Sequence, residues 1–402
     1  MTHPLANKHI LLGVTGSIAA YKAADLASKL TQTGALVDVV LTESAVKFIS
    51  LLTFQSVTGR KAYVDADLWG GEGHVTHIGL GHAAELVLIA PISANTLAKL
   101  AHGIGDNLLT VTVLASHCPL VLAPAMDVGM FGNPATQANV EILQQRGAIF
   151  IGPDEGHLAS GLVGRGRFVE PPQILEQVRY LMSRGGPLAG RKVVVTAGGT
   201  QEPIDPVRLI TNRSSGKQGT AVAQAALDAG AEVTLVSTPT GLAVPAGAKL
   251  VCVKTAQEML DAVLAEAADA DVLIMAAAVA DFRPIPAAQK LKKAAGIPQI
   301  QFEATADILA AVAERRAATG FPRRSIGFAA ESQDLLQNAQ SKLERKHLDL
   351  MVANDISAAD AGFEVDTNRV VLLFPDGRQQ PLPMQEKAGV AEAIVQQVIA
   401  WG

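Results

Sequence analysis

The chain begins twice, and this repetition limits its possible folds more than any other feature. Residues 8–13 (Lys-His-Ile-Leu-Leu-Gly) and 191–198 (Arg-Lys-Val-Val-Val-Thr-Ala-Gly) each read as a basic residue, a buried strand and a glycine turn. Each leads through polar residues into an Ala-rich helix, expected over 18–30 and 219–229. Each helix stops at a glycine, Gly34 or Gly230, and a second apolar run follows at 36–41 or 232–237. That is a βαβ opening used once per half. Between the halves, Ser183-Arg-Gly-Gly-Pro-Leu-Ala-Gly190 is rich in chain breakers and reads as a linker, with the domain boundary near residue 187.

Further strands are expected at 85–90 and 120–123, and then at 250–254, 272–276, 325–329 and 350–353. They alternate with helical segments, which predicts two α/β domains, 1–187 and 188–402, each a doubly wound, mainly parallel sheet. Residues 369–374 and 379–382 flank Pro375-Asp376-Gly377 and predict a small hairpin before a final amphipathic helix over 386–399. In such sheets ligands bind beyond the carboxyl ends of the strands, so chemistry is sought in the residues just after each strand.

Composition excludes some classes of partner. With 49% hydrophobic and 18% charged residues the chain is globular, and its net charge of −5 argues against nucleic acid or anionic membrane as a general partner. No apolar run is long enough to cross a bilayer, and residues 1–8 carry no signal-like pattern, so a cytoplasmic protein is expected. The two cysteines, Cys118 and Cys252, sit in apolar runs and read as buried structural thiols, too few for a disulfide framework.

In the first half, the turn Gly13-Val-Thr15-Gly16-Ser17 allows close backbone approach and offers a helix N-terminus to a phosphate; a plain strand-to-helix turn explains it equally well. Ser44 adds a hydroxyl after the second strand. Pro91-Ile-Ser93-Ala-Asn95-Thr96 supplies small polar side chains for a flat ring, although Ser93 or Asn95 could simply open the next helix. The dinucleotide pattern Gly-x-Gly-x-x-Gly is absent, which disfavours an NAD(P)-linked oxidoreductase. Of the histidines, His74, His82 and His102 read as surface residues; His77 stands out only through its motif.

These motifs, with Pro124-Ala-Met126-Asp127-Val-Gly-Met130, resemble the flavin-containing cysteine decarboxylases. The resemblance covers roughly residues 7–180 and implies a flavodoxin-like domain. FMN would be bound around Gly16, Ser17, Ser44, Ser93, Asn95 and Thr96, and His77 would be the catalytic histidine. It further implies trimers, and oxidation of a substrate thiol to a thioaldehyde that can delocalise the carbanion left by departing CO₂. Residues 156–167, with Ser160, Arg165 and Arg167, resemble the flap that closes on substrate. Two positions depart from the pattern. Asp127 stands where relatives carry an Asn that binds the substrate carboxylate, so it must be protonated, paired with a cation or turned away. Ser160 stands where many relatives have a reactive Cys, and a hydroxyl cannot do thiol redox chemistry. A variant mechanism, an ene-thiol product or a weak decarboxylase follows; retention of Arg165 and Arg167 favours a working variant.

In the second half, Gly198-Gly199-Thr200 offers a backbone nest for anions, and Asn212-Arg-Ser214-Ser215-Gly216-Lys217-Gln-Gly219 offers hydroxyls, N–H groups and a cation before a helix. It is not a Walker A motif. Ala277 and Asp281 follow one strand, with Lys290-Leu-Lys292-Lys293 soon after; Phe328 lies in another strand, and Asn354-Asp355-Ile-Ser357 follows the next. Lys342 and Lys346 share one helical face. This series resembles the phosphopantothenoylcysteine synthetase half of bifunctional coenzyme A enzymes, from about 190 to 375, with Ala306 loosening a place where relatives commonly have Pro before Asp307.

The resemblance implies ligation of 4′-phosphopantothenate to cysteine through an acyl-cytidylate, with CTP as cosubstrate and Mg²⁺ or Mn²⁺ at unassigned ligands. Lys290 would stabilise phosphate charge and Asn212 would hold the acyl-cytidylate. Ala277, Asp281 and Phe328 would line the cytidine pocket, with Lys342 and Lys346 on the triphosphate. Met126, Asp127, Arg165 and Arg167 would contact the decarboxylase substrate. The whole would be a homo-oligomer of flavin-domain trimers and ligase-domain dimers. Two alternatives remain: a ligase whose flavin domain is a weak decarboxylase or scaffold, and a regulatory flavoprotein, although the long acidic tail of such proteins is missing.

Overall fold

A computed structural model describes residues 2–69, 75–292, 298–331, 335–355 and 365–402. His74, Lys293 and Ser357 lie outside the described residues. The chain divides into two compact units, Thr2–Met182 and Ser183–Gly402.

In the first unit, six parallel strands lie side by side in the order Ala62–Tyr63, Leu36–Leu41, His9–Val14, Leu86–Ile92, Leu120–Pro124 and Ile149–Phe150. In chain order this is 3-2-1-4-5-6, so the winding reverses between His9–Val14 and Leu86–Ile92. Alternate residues of the first strand face opposite layers. Ile10, Leu12 and Val14 join one core with Leu26 and Leu30 of helix Ala20–Gln32, and Leu11 joins another with Leu97 and Leu109. Burial on both faces is why these strands read as mainly apolar runs, with Asp38 the exception, paired with Arg60. Each fully buried leucine contributes roughly 1.5–3 kcal/mol.

The second unit repeats the plan. Lys249–Cys252, Glu232–Ser237, Lys192–Ala197, Val272–Met275, Arg324–Glu331 and Leu350–Asp355 are parallel neighbours, again 3-2-1-4-5-6. The antiparallel strands Val370–Leu373 and Gln379–Pro381 extend the sheet as the expected hairpin, with Gly377 at φ +83° in its Asp-Gly turn. Helix Lys217–Asp228 packs hard on the first strand, since a Cβ on Gly219 would lie 2.6 Å from the Thr196 carbonyl oxygen. Two small antiparallel pairs, Gln201–Pro203 with Leu209–Thr211 and Phe282–Pro284 with Phe302–Ala304, stand beside this sheet. The doubly wound α/β class expected from the sequence is present in both units.

The cysteines are a correction. Cys252 is exposed and Cys118 is half-buried, with burial pushing its thiol up. Cys252 ends the outermost strand of its sheet, where side chains meet solvent, so an apolar run there does not mean burial. No helix among the described residues is long and apolar enough to cross a membrane.

Candidate functional sites

At the switch point of the first unit, Thr15 ties the two central strand ends together. Its buried hydroxyl donates to the Pro91 carbonyl (2.9 Å) and accepts from the Ser93 N–H (2.9 Å). Gly16 packs directly under Ser44, where an added Cβ would lie 2.4 Å from the Ser44 Cβ. Ser17 accepts from the Ala19 N–H at the start of the first helix (3.3 Å). Ser93 caps helix Ala94–His102 by accepting from the Thr96 N–H, and the Thr96 side chain is buried on the Ser93 hydroxyl. Asn95 is exposed on the same turn. The cap reading of Ser93 is therefore real, and it aligns the helix N-terminus beside the Gly16 turn. This cradle of close-packed glycine, small hydroxyls and a helix start suits a flavin phosphate and ring. We expect Gly16→Ala to part the two loops and lower flavin affinity at least about tenfold, as overpacking of about 1–3 kcal/mol implies, seen as protein purified without yellow colour.

His77 lies on helix Thr76–Ala83, half-buried, and its Nδ1 is shielded from solvent without a hydrogen-bond partner. His82 and His102 are exposed, as expected.

The flap is an antiparallel pair, Asp154–His157 with Val163–Arg167. It is pinned to the loop after Leu120–Pro124: the Met126 N–H donates to the Gly166 carbonyl (3.0 Å), and a Cβ on Gly164 would meet the Val128 side chain at 2.7 Å. Arg165 lies over the Phe131 ring at 5.2 Å, and Arg167 pairs with Glu170 (2.8 Å), which also accepts from Lys22 (2.7 Å). The two unusual residues meet. The Ser160 hydroxyl donates to Asp127 Oδ2 at 2.6 Å, while Asp127 Oδ1 accepts from the Gly129 N–H at 2.9 Å. Asp127 is thus turned onto the flap tip, and the Ser160 hydroxyl, followed by the Gly129 amide, holds its carboxyl below the usual carboxylate range.

The charge-assisted strength of this bond requires the carboxylate. Its folded value is depressed, so the latch is complete above the ordinary carboxylate pKa and is lost as pH falls through the lower folded value. We expect Asp127→Ala to raise hydrogen exchange at Gly161, in the flap-tip turn, about tenfold at neutral pH. The unaltered protein should loosen there only in acid.

In the second unit the corresponding switch point opens into a cavity of about 640 Å³. Asn212, Ala277, Asp281, Phe328, Lys342 and Lys346 all line it. Asn212 is held firmly: its Nδ2 donates to the Ala278 carbonyl (2.6 Å), and its Oδ1 accepts from the Ser214 N–H (3.1 Å). Thr196 and Thr200 accept from the Ala277 and Ala280 N–H groups, each at 3.0 Å, which fixes the Ala-rich segment after strand Val272–Met275. Lys346 touches Asp307 in an ion pair, and burial draws its ammonium below the ordinary value.

Lys290 stands apart. It is exposed and does not line the cavity; its neighbour Leu291 is tied to Asp205 and Arg208, whose ion pair holds the Asp205 carboxyl far down. Lys217, Arg345 and Lys387 also line the cavity, giving five cations against the carboxylates of Asp281 and Asp307 among its described lining residues. Sequence reasoning missed Arg345 and Lys387 as site residues. Arg345 falls within the helix that supplies Lys342, while Lys387 is remote in the chain. No group of three or more His, Cys, Asp or Glu that could hold a metal ion occurs among the described residues.

Comparison with known proteins finds a family match in each part of the chain. The flavoprotein family model matches residues 1–183, and that of the DNA/pantothenate metabolism flavoprotein C-terminal domain matches residues 188–401. The coenzyme A biosynthesis bifunctional protein CoaBC of Bacillus subtilis (strain 168) is 44% identical over 98% of this chain and 98% of its own length. That of Mycobacterium tuberculosis (strain ATCC 25618 / H37Rv) is 44% identical over 99% of this chain and 98% of its own. A solved C-terminal domain of a CoaBC protein is 38% identical and covers 54% of this chain and 97% of its own, with a TM-score of 0.46. The chain belongs to the family of bifunctional coenzyme A biosynthesis proteins, enzymes in which a flavoprotein decarboxylase is joined to a ligase.

Proposed function

We propose that the second unit joins 4′-phosphopantothenate to cysteine through an acyl-cytidylate formed with CTP, and that the first unit decarboxylates the product to 4′-phosphopantetheine with FMN. The observation that carries this reading is the cation-rich cavity, which gathers Asn212, Ala277, Asp281, Phe328, Lys342 and Lys346 from distant stretches of the chain. Its charge suits a triphosphate and a second anionic substrate. Asn212 keeps a second amide N–H for the acyl-cytidylate, since only one is used on Ala278. Lys290 acts from the tethered loop outside the cavity wall. A divalent cation, Mg²⁺ or Mn²⁺, would arrive on the phosphates rather than in a protein cage, in keeping with the lack of a carboxylate cluster among the described residues.

In the first unit FMN supplies the two-electron oxidation and reduction when bound. Gly16, Ser17, Ser44, Ser93, Asn95 and Thr96 frame its site, His77 handles protons, and the flap with Arg165 and Arg167 closes on the substrate beside Met126. The hydrogen bond between Asp127 and Ser160 favours a second reading, in which the flavin unit is a weak decarboxylase or stops at the ene-thiol. Self-association is part of the proposal. Exposed Ile18, Tyr21, Leu52 and Trp69 support contacts among flavin units, and Val207, Leu209, Phe282 and Phe302 support pairing of ligase units. A cytoplasmic location accords with this chemistry.

The test is to incubate the purified protein with 4′-phosphopantothenate, cysteine, CTP and Mg²⁺ and to identify the products by mass. Phosphopantetheine is expected. Accumulated phosphopantothenoylcysteine or ene-thiol would confine the claim to the ligase and favour the second reading. Untouched CTP would overturn the ligase assignment.

A further inference from the structure

Loss of CO₂ from a cysteine residue leaves an electron pair on its α-carbon, and that carbon needs a proton before the product is a thiol. Where the flap meets the loop after Leu120–Pro124, few side chains could give one. Arg165, over the Phe131 ring, and Arg167, paired with Glu170, stay charged. Glu170 is held ionised by Lys22 and then Arg167. The Ser160 hydroxyl is too weak an acid to act alone. Asp127 is the carboxyl at this junction. It follows Met126, whose N–H is pinned to the Gly166 carbonyl at 3.0 Å. Its two oxygens are aimed by separate donors, Oδ1 by the Gly129 N–H (2.9 Å) and Oδ2 by the Ser160 hydroxyl (2.6 Å).

Both donors to Asp127 are neutral, whereas Glu170 is held by two cations. The titratable groups on the elements around Asp127 are Arg165 and Arg167 on one flap strand, Asp154, Glu155 and His157 on the other, and Glu141 on helix Pro134–Gln145. None of these described side chains holds the Asp127 carboxyl down; the Ser160 hydroxyl and the Gly129 amide do. Neutral donors leave Asp127 open to a change of protonation when a second anion arrives. A substrate carboxylate beside Met126 is such an anion, and two carboxylates placed together share one proton. Only an ionised carboxylate can leave as CO₂, so the productive complex has that proton on Asp127.

We propose that Asp127 is a catalytic acid of the flavin unit, protonated when substrate binds and giving its proton to the α-carbon after CO₂ leaves, with Ser160 as its positioning residue. The electron pair of the broken bond first forms the carbon–carbon double bond of an ene-thiolate. The Asp127 proton then adds at the α-carbon and leaves a thioaldehyde. The two electrons taken from the thiol at the outset return from the flavin as hydride to the β-carbon, and sulfur regains the proton it lost. Asp127 is left as a carboxylate and accepts from Ser160 again. This rests on the decarboxylase reading above and takes the reaction past the ene-thiol.

The test is a single turnover of supplied phosphopantothenoylcysteine by the full-length, flavin-loaded protein, following CO₂, product mass and flavin colour together. Asp127→Asn keeps both contacts, since its amide oxygen accepts from Gly129 and its N–H donates to the Ser160 oxygen, but it has no proton to give. It should release CO₂ within about threefold of the original rate, while phosphopantetheine forms about a hundredfold more slowly. The ene-thiol, two hydrogens short, should accumulate, and the flavin should stay bleached where the unaltered protein turns yellow again. Ser160→Ala should still yield phosphopantetheine, within about tenfold of the original rate. Because binding takes up a proton, the substrate concentration for half-maximal CO₂ release should rise about tenfold per pH unit on the alkaline side, and not in Asp127→Asn. Phosphopantetheine from Asp127→Asn at the original rate would overturn the proposal. So would CO₂ release falling as far as product, which would make Asp127 a binding residue. An ene-thiol as the end product of the unaltered protein would also overturn it, while leaving the decarboxylase reading in place. No CO₂ from the unaltered protein would defeat that reading itself.

Discussion

Replacing His77 by asparagine is expected to cut decarboxylation of phosphopantothenoylcysteine by about 10²–10⁴-fold, the range typical of a positioned acid–base group, while CTP-dependent ligation stays at its original rate. The side chain sits on the short helix Thr76–Ala83, with its Nδ1 shielded from solvent and unpartnered. A structural histidine at such a place would normally satisfy that nitrogen. An unmet buried nitrogen instead fits a ring whose partner is a bound substrate or cofactor. Asparagine fills less volume and keeps hydrogen-bonding capacity, but it cannot exchange a proton near neutral pH. The measurement is CO₂ release from supplied phosphopantothenoylcysteine, with pyrophosphate release as the internal control for folding of the chain. Decarboxylation within threefold of the original would remove His77 from the chemistry. The exposed His82 serves as a comparison, since its replacement by asparagine should change neither rate.

The parts of this architecture that were legible are those encoded locally. Strands buried on both faces are mainly apolar, so runs such as Leu36–Leu41 and Glu232–Ser237 are found at their predicted positions without tertiary information, despite Asp38 in the first and Thr234 in the second. The loops proposed to hold ligands follow from the same reading, because they are whatever comes next after such a run. What was not legible depends on spatial neighbours. Cys252 lies in a run as apolar as its partners, and only the order of strands in space makes that run an edge. Lys387 reads as an ordinary cation at a helix start; its burial comes from packing against a helix some 170 residues earlier, the separation at which Gln218 bonds to it. Asp127 and Ser160, read singly in the sequence, each depart from the expected pattern. In space they share one hydrogen bond, 33 residues apart in sequence, in which Ser160 supplies a donor for Asp127. Pairing of this kind is invisible in a single sequence, because nothing local links a strand-end loop to a flap tip.

Gly199→Ala should reduce the ligase about a hundredfold while leaving both the fold and the decarboxylase intact. An added Cβ at residue 199 would lie 2.2 Å from Asn212 Oδ1 and 3.0 Å from its Cγ. The nearest backbone atom, the Asn212 carbonyl oxygen, is 3.4 Å away, so the main chain has room and only the amide must yield. That amide cannot yield freely, because it is held between the Ala278 carbonyl and the Ser214 N–H. Turning it aside breaks two hydrogen bonds worth about 1 kcal/mol each, a modest cost to stability. It also moves the donor proposed to hold the acyl-cytidylate, and a misplacement of about 1 Å at a reacting centre can cost about a hundredfold. Pyrophosphate release, thermal unfolding and CO₂ release from supplied phosphopantothenoylcysteine separate these effects. Loss of all three together would mean that Gly199 matters to the fold of its unit rather than to the amide. Full ligase activity would show that Asn212 can shift without consequence, and would take it out of the site. Because Asn212→Ala removes the clash and the donor together, the double variant should be no worse than Asn212→Ala alone, which is the signature of two residues acting through a single group.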